Sequence, residues 1–96
     1  MLEKQIQKKI MAYLKTVPGS QWNKITLGPY SGKGISDIIG CYRGHYVALE
    51  VKNEGGKATK LQEHFINAIN DTGGYAAVVR SVNDVRSFLG HIDWDR

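Results

Sequence analysis

Cysteine is nearly absent from this chain: Cys41 stands alone, so no internal disulfide can form and a stapled secreted scaffold is excluded. Proline occurs only at Pro18 and Pro29, too rarely for a polyproline or low-complexity linker. No apolar run approaches the ~18 residues of a membrane span. The opening Leu2-Glu3-Lys4-Gln5-Ile6 is too polar for the core of an export signal. Acidic residues are outnumbered, Asp+Glu 9 against Lys+Arg 13, and the resulting +4 suits a polyanionic partner without demanding one. A chain of 96 residues has room for one core, so residues 1–96 read as a single soluble, intracellular (cytoplasmic) domain with no membrane partner. Cys41, set in an apolar run, reads as a small core residue.

What is present is strongly periodic. Leu2, Ile6, Ile10, Tyr13, Leu14 and Val17 recur at helical spacing until Pro18-Gly19, which predicts an amphipathic helix over 2–16 with lysines on its outer face. Residues 22–27 favour a strand, and the glycines of 28–34 make a loop. Two apolar runs, 38–42 and 46–51, flank Arg43-Gly44-His45 and predict a hairpin of buried strands. Thr59 opens a helix whose inward face is read as Leu61, Phe65, Ala68, Ile69 and Thr72, closed by Gly73-Gly74. A strand over 75–79 follows. Ser81 then caps a short last helix with Gly90 beyond it, and Trp22 and Trp94 read as packing residues. The order αβββαβα contains a strand-helix-strand crossover over 46–79, which makes those two strands parallel and gives an α/β domain with a mixed sheet flanked by helices.

The hairpin brings two acids together. If Arg43-Gly44 is a two-residue turn, paired positions sum to 87, and Asp37 falls opposite Glu50 with Cβ atoms about 5 Å apart. Facing carboxylates at the end of an apolar hairpin destabilise it unless one is protonated or a cation lies between them. Alternation places Lys52 on the face of Glu50, about 6.6 Å along the strand. Hard oxygen ligands without cysteine or histidine favour Mg²⁺ or Mn²⁺ over zinc. The competing reading is an ion-paired strand end with no further role.

The run Gly34-Ile35-Ser36-Asp37, followed after an apolar strand by Glu50-Val51-Lys52, resembles the metal-dependent PD-(D/E)XK nucleases. With Glu3 in the first helix, Thr59-x-x-Gln62-x-x-Phe65 opening the second and Val78-Val79-Arg80-Ser81 near the end, it resembles more narrowly the small stand-alone VRR-Nuc proteins of phage and bacteria. Ser36 stands where the superfamily has proline, and Ser81 where the family has a second arginine. The resemblance implies a restriction-endonuclease-like core. In it, Asp37, Glu50 and the Val51 carbonyl hold the metal, Lys52 positions or activates the attacking water, Glu3 adds an acidic group that also ligates the metal, and Gln62 joins the catalytic set. It further implies a structure-specific DNA endonuclease, a homodimer resolving branched or four-way (Holliday) junctions, in a bacterial or phage-infected cell. A fold that has lost catalysis and only binds nucleic acid is the alternative.

Several residues carry two readings. Glu3 lies within roughly 50° of the centre of the apolar stripe, facing the body, yet a first-turn glutamate also suits the helix dipole. Gln62 completes a capping box with Thr59 and could also reach the site. The loop Gly28-Pro29-Tyr30-Ser31-Gly32-Lys33-Gly34 lacks the Ser/Thr of a nucleotide-binding loop and leads into a strand. It reads instead as a basic loop in which Lys33, together with Lys57 and Lys60 on the next loop, meets phosphates, and Tyr30 offers an aromatic to a dimer interface. His45, His64 and His91 have no ligand spacing.

Overall fold

The computed structural model describes residues 1–26 and 35–95. Its elements run α1 (Glu3–Leu14), β1 (Ser20–Lys24), β2 (Ile38–Tyr42), β3 (His45–Val51), α2 (Lys60–Asp71), β4 (Tyr75–Val79) and α3 (Val82–Asp95), the expected αβββαβα order. The sheet order is β1-β2-β3-β4, with antiparallel pairing across the first three strands and parallel pairing of β3 with β4.

The hairpin turn is made by Arg43 at φ 49° and Gly44 at φ 86°. Two consecutive positive φ values give the primed turn whose twist matches the strands it joins. The register follows: Ile38 pairs Leu49 and Tyr42 pairs His45, the arithmetic the two-residue turn imposes.

One face of the sheet carries the core. Trp22, Ile38, Tyr42, Val47, Leu49, Val51 and Val79 pack against Ile6, Ile10 and Leu14 of α1 and Val85, Leu89 and Ile92 of α3. Full burial of each aliphatic side chain is worth roughly 1.5–3 kcal/mol. Gly40 is what lets Trp22 lie flat on the sheet, because a Cβ there would stand 2.4 Å from the indole Cε3.

The second face is only half covered. α2 lies over β3 and β4, where the Asn70 side chain accepts from the Ala76 N–H at 2.8 Å and donates to its carbonyl at 3.0 Å. That bond pair closes the outer edge of β4 against further strand pairing. Beyond α2 the sheet is open, which overturns two expectations. Cys41 is exposed, and Tyr46, its partner across the hairpin, is 42% exposed. Both point to the α2 side, at positions that α2 does not cover. The inward face of α2 also differs from the expected one. Gln62, Phe65, Ile66 and Ile69 are half-buried, whereas Leu61, Ala68 and Thr72 are exposed. At the other end of the chain, α3 runs through Gly90 to Asp95, because the buried Leu89 and Ile92 hold both sides of the glycine to the core. Trp94, on the last turn and expected to pack, is 88% exposed. No helix among the described residues is long and apolar enough to cross a membrane.

Candidate active site

The sheet's architecture decides which side chains meet. β3 alternates Val47, Leu49 and Val51 into the core with Ala48 and Glu50 toward α2. Glu50 is therefore a carboxylate taken out of water, 2% exposed, under a helix. Asp37 precedes β2 at the register position opposite Glu50, and its Oδ2 accepts the Val51 N–H at 2.8 Å. The Asp37 carbonyl in turn accepts the Ile25 N–H at 2.7 Å, so the aspartate is fixed from both neighbouring strands.

Around Glu50 the chemistry converges. Lys52 Nζ lies 3.8 Å from Glu50 Oε2, and the Gln62 Nε2 donates to that same oxygen at 3.2 Å. Gln62 fills both roles open to it in the sequence. Its Oε1 accepts the Thr59 N–H at 2.8 Å and its own N–H donates to Thr59 Oγ1 at 3.2 Å, completing the capping box that starts α2. The cap thus fixes the amide that reaches the acid. Burial, above all, and then the adjoining Asp37 carboxylate push Glu50 up to about 8, while the Lys52 ammonium pulls the other way and Glu3 adds a smaller upward push.

Among the described residues no N–H or hydroxyl group donates to the buried Glu50 Oε1, and in its protonated form Glu50 hydrogen-bonds the Asp37 side chain. The ammonium and the amide both serve Oε2. A buried carboxylate oxygen without a donor, beside a second carboxylate, fits a hard divalent cation. Asp37, Glu50 and the adjoining main chain could supply the oxygens. Glu3 is half-buried at the start of α1, its Oε2 beside Gly56, and does not close with the other two acids into a three-carboxylate cluster.

Arg80 organises the loop between Lys52 and α2. Its Nη1 donates to the carbonyls of Asn53 at 2.6 Å and Gly56 at 2.7 Å. The Gly56 N–H returns to Asn53 O at 3.1 Å, so the guanidinium pins a turn that starts one residue after Lys52 and ends against Glu3. Sequence reading singled out Arg80 by its motif but gave it no partner, since both carbonyls lie more than twenty residues away and belong to main chain. Lys57 and Lys60 are exposed where the chain enters α2. Lys33 and Tyr30 lie outside the described residues.

No protein-family model matches the sequence, and no curated protein matches it. Two solved structures share its architecture. One, described as a VRR_NUC domain, superposes with a TM-score of 0.74 at 24% identity over 93% of this chain and 95% of that one. Another, a VRR_NUC domain protein, gives 0.70 at 18% identity over 97% of this chain and 86% of the other. The chain has the fold of VRR_NUC domains, the fold to which the motifs around Asp37, Glu50 and Lys52 point.

Proposed function

We propose that this protein is a divalent-metal-dependent endonuclease that hydrolyses DNA phosphodiester bonds at Asp37, Glu50 and Lys52. The observation that carries the reading is the buried Glu50 carboxylate, with one oxygen that receives no N–H or hydroxyl donor among the described residues and Asp37 and Lys52 beside it. The VRR_NUC fold of the two solved structures supports it, since VRR_NUC denotes a nuclease domain.

Asp37, Glu50 and the Val51 carbonyl would hold the cation, Mg²⁺ or Mn²⁺, which when bound supplies Lewis-acid polarisation of the scissile phosphate. The rest is the work of the chain's own groups. The Lys52 ammonium orients the attacking water and offsets charge that builds on the phosphate oxygens as the bond forms. Gln62, locked by its cap to Thr59, keeps Glu50 turned toward that centre. Glu3 adds negative charge at the rim, on the side of the pinned turn. Lys57 and Lys60, with Lys33, would meet phosphates flanking the cut.

A four-way junction presents two symmetry-related strands, and a two-fold homodimer with one site per subunit matches that symmetry. Branched DNA is accordingly the preferred substrate in this reading. The test is to incubate the purified protein with linear, flapped and four-way DNA in Mg²⁺, Mn²⁺ or EDTA. Metal-dependent cutting that favours the junction supports the proposal. Tight binding with no cutting in either metal would replace it with a nucleic-acid-binding module that has lost catalysis.

A further inference from the structure

α1 carries a second stripe opposite its apolar one. At 100° per residue, Lys4, Lys8 and Lys15 fall within about 40° of one another, whereas Lys9 is turned well away. Across from them Lys24 ends β1, and the four lysines line a groove of about 750 Å³ together with Gln7, Met11 and Ala12. Among the described residues no acidic side chain lines it. The ion pairs among the described residues are Arg43 with Asp93 and Lys52 with Glu50, so none of these four ammonium groups is neutralised within them. Like charges one helical turn apart are mutually destabilising by a few tenths of a kcal/mol. A surface that gathers four of them without a counter-charge is complementary to an extended polyanion.

The walls of the groove adjoin the candidate active site along the chain and across the strands. Lys4 directly follows Glu3, and Lys24 pairs with Ile38, the residue after Asp37. From Lys4 to Lys15 the helix rises about 16 Å, enough to follow some five phosphates at about 3.4 Å of axial rise per strand residue. We infer that the groove between α1 and β1 is a track for the phosphodiester backbone of DNA, held by Lys4, Lys8, Lys15 and Lys24 and leading the strand to or from the cutting centre. This rests on the nuclease reading for its ligand, but its residues lie on the face of the sheet opposite Glu50 and take no part in the chemistry. The contacts are to phosphates, so the track adds affinity without sequence preference.

The experiment measures binding apart from cleavage. Fluorescence anisotropy with a labelled duplex and a labelled four-way junction is followed from 50 to 250 mM salt, in EDTA, so that no strand is cut. Wild type is compared with Lys4→Gln/Lys8→Gln/Lys15→Gln/Lys24→Gln and with Arg86→Gln, an exposed cation on α3 stacked on Tyr13. The quadruple variant is expected to bind at least tenfold more weakly, with the slope of log affinity against log salt reduced by about 3.6, roughly 0.9 for each of the four lost phosphate contacts. Arg86→Gln keeps the wild-type slope. Equal binding by the quadruple variant, or an equal loss per charge in Arg86→Gln, overturns the track, the second outcome meaning that only overall charge matters. Wild type that binds anionic phosphatidylserine vesicles but neither DNA overturns it in favour of a membrane surface. Wild type that binds DNA through the groove yet never cuts it with metal restored refutes the nuclease reading alone. Thermal melts of the surface variants confirm that the fold is intact.

Discussion

Glu50 and Asp37 face each other across the β2–β3 hairpin, and the first is buried at 2% exposure while the second accepts the Val51 N–H at 2.8 Å. Of the two, Glu50 bears the cost of the arrangement, since burial and the neighbouring carboxylate push it up to about 8. Without metal it holds a proton at neutral pH. In the unfolded chain the same group has its ordinary value of 4.5.

A pH dependence follows. Between about 4.5 and about 8 the folded state binds a proton that the unfolded state does not, so stability falls as pH rises through that window. The contribution is whole below the unfolded value and lost on approaching the folded one. Thermal melts of the metal-free protein from pH 5 to 8.5 should show this decline, Glu50→Gln should flatten it, and Mn²⁺ should raise the melting temperature more at pH 8 than at pH 6. A wild-type profile matching that of Glu50→Gln would contradict the assignment.

Lys52→Ala is expected to slow cleavage by about a hundredfold or more, because the ammonium acts on water and phosphate. Metal affinity should change only a few-fold, as the ammonium ligates nothing. Calorimetric titration with Mn²⁺ beside single-turnover rates checks both halves. Unchanged rates would return Lys52 to an ion pair at a strand end.

Arg80→Ala should loosen the turn after Lys52 while sparing the sheet. Hydrogen exchange at the Gly56 amide is expected to quicken at least tenfold, with β2 and β3 amides unchanged, because Nη1 is the shared donor to Asn53 O and Gly56 O. Uniform acceleration would mean that Arg80 supports the whole fold, and no acceleration that the turn holds itself.

Gly40→Ala tests the core. A methyl group there meets the Gln21 carbonyl at 2.3 Å and the Trp22 ring at 2.4 Å, so backbone or indole must move. Overpacking of that kind costs about 1–3 kcal/mol. The expected fall in melting temperature is roughly 4–8 °C per kcal/mol for a domain of this size.

Much of this was legible in the sequence because it depends on local rules. The Arg43-Gly44 turn dictated the register, and the register dictated that Asp37 meets Glu50; Thr59 and Gln62 announced their own capping box. What local rules could not supply was coverage. Cys41 and Tyr46 have core-like neighbours along the chain, but their exposure depends on where α2 stops short on the sheet. Leu61 fits a helical apolar stripe, yet the stripe that packs is rotated toward Gln62 by the polar centre beneath it. Gly90 reads as a helix end, and only the burial of Leu89 and Ile92 on either side keeps α3 going. Arg80 is bound to main-chain carbonyls, which leave no trace in residue identity.

The central claim is that Asp37 and Glu50 form a metal-dependent hydrolytic centre, and single-turnover cleavage of a labelled four-way junction in Mn²⁺ tests it most directly. Wild type should cut, EDTA should abolish cutting, and Asp37→Asn and Glu50→Gln should each fail to cut while melting as cooperatively as wild type. Cleavage at the wild-type rate by either folded variant would contradict it.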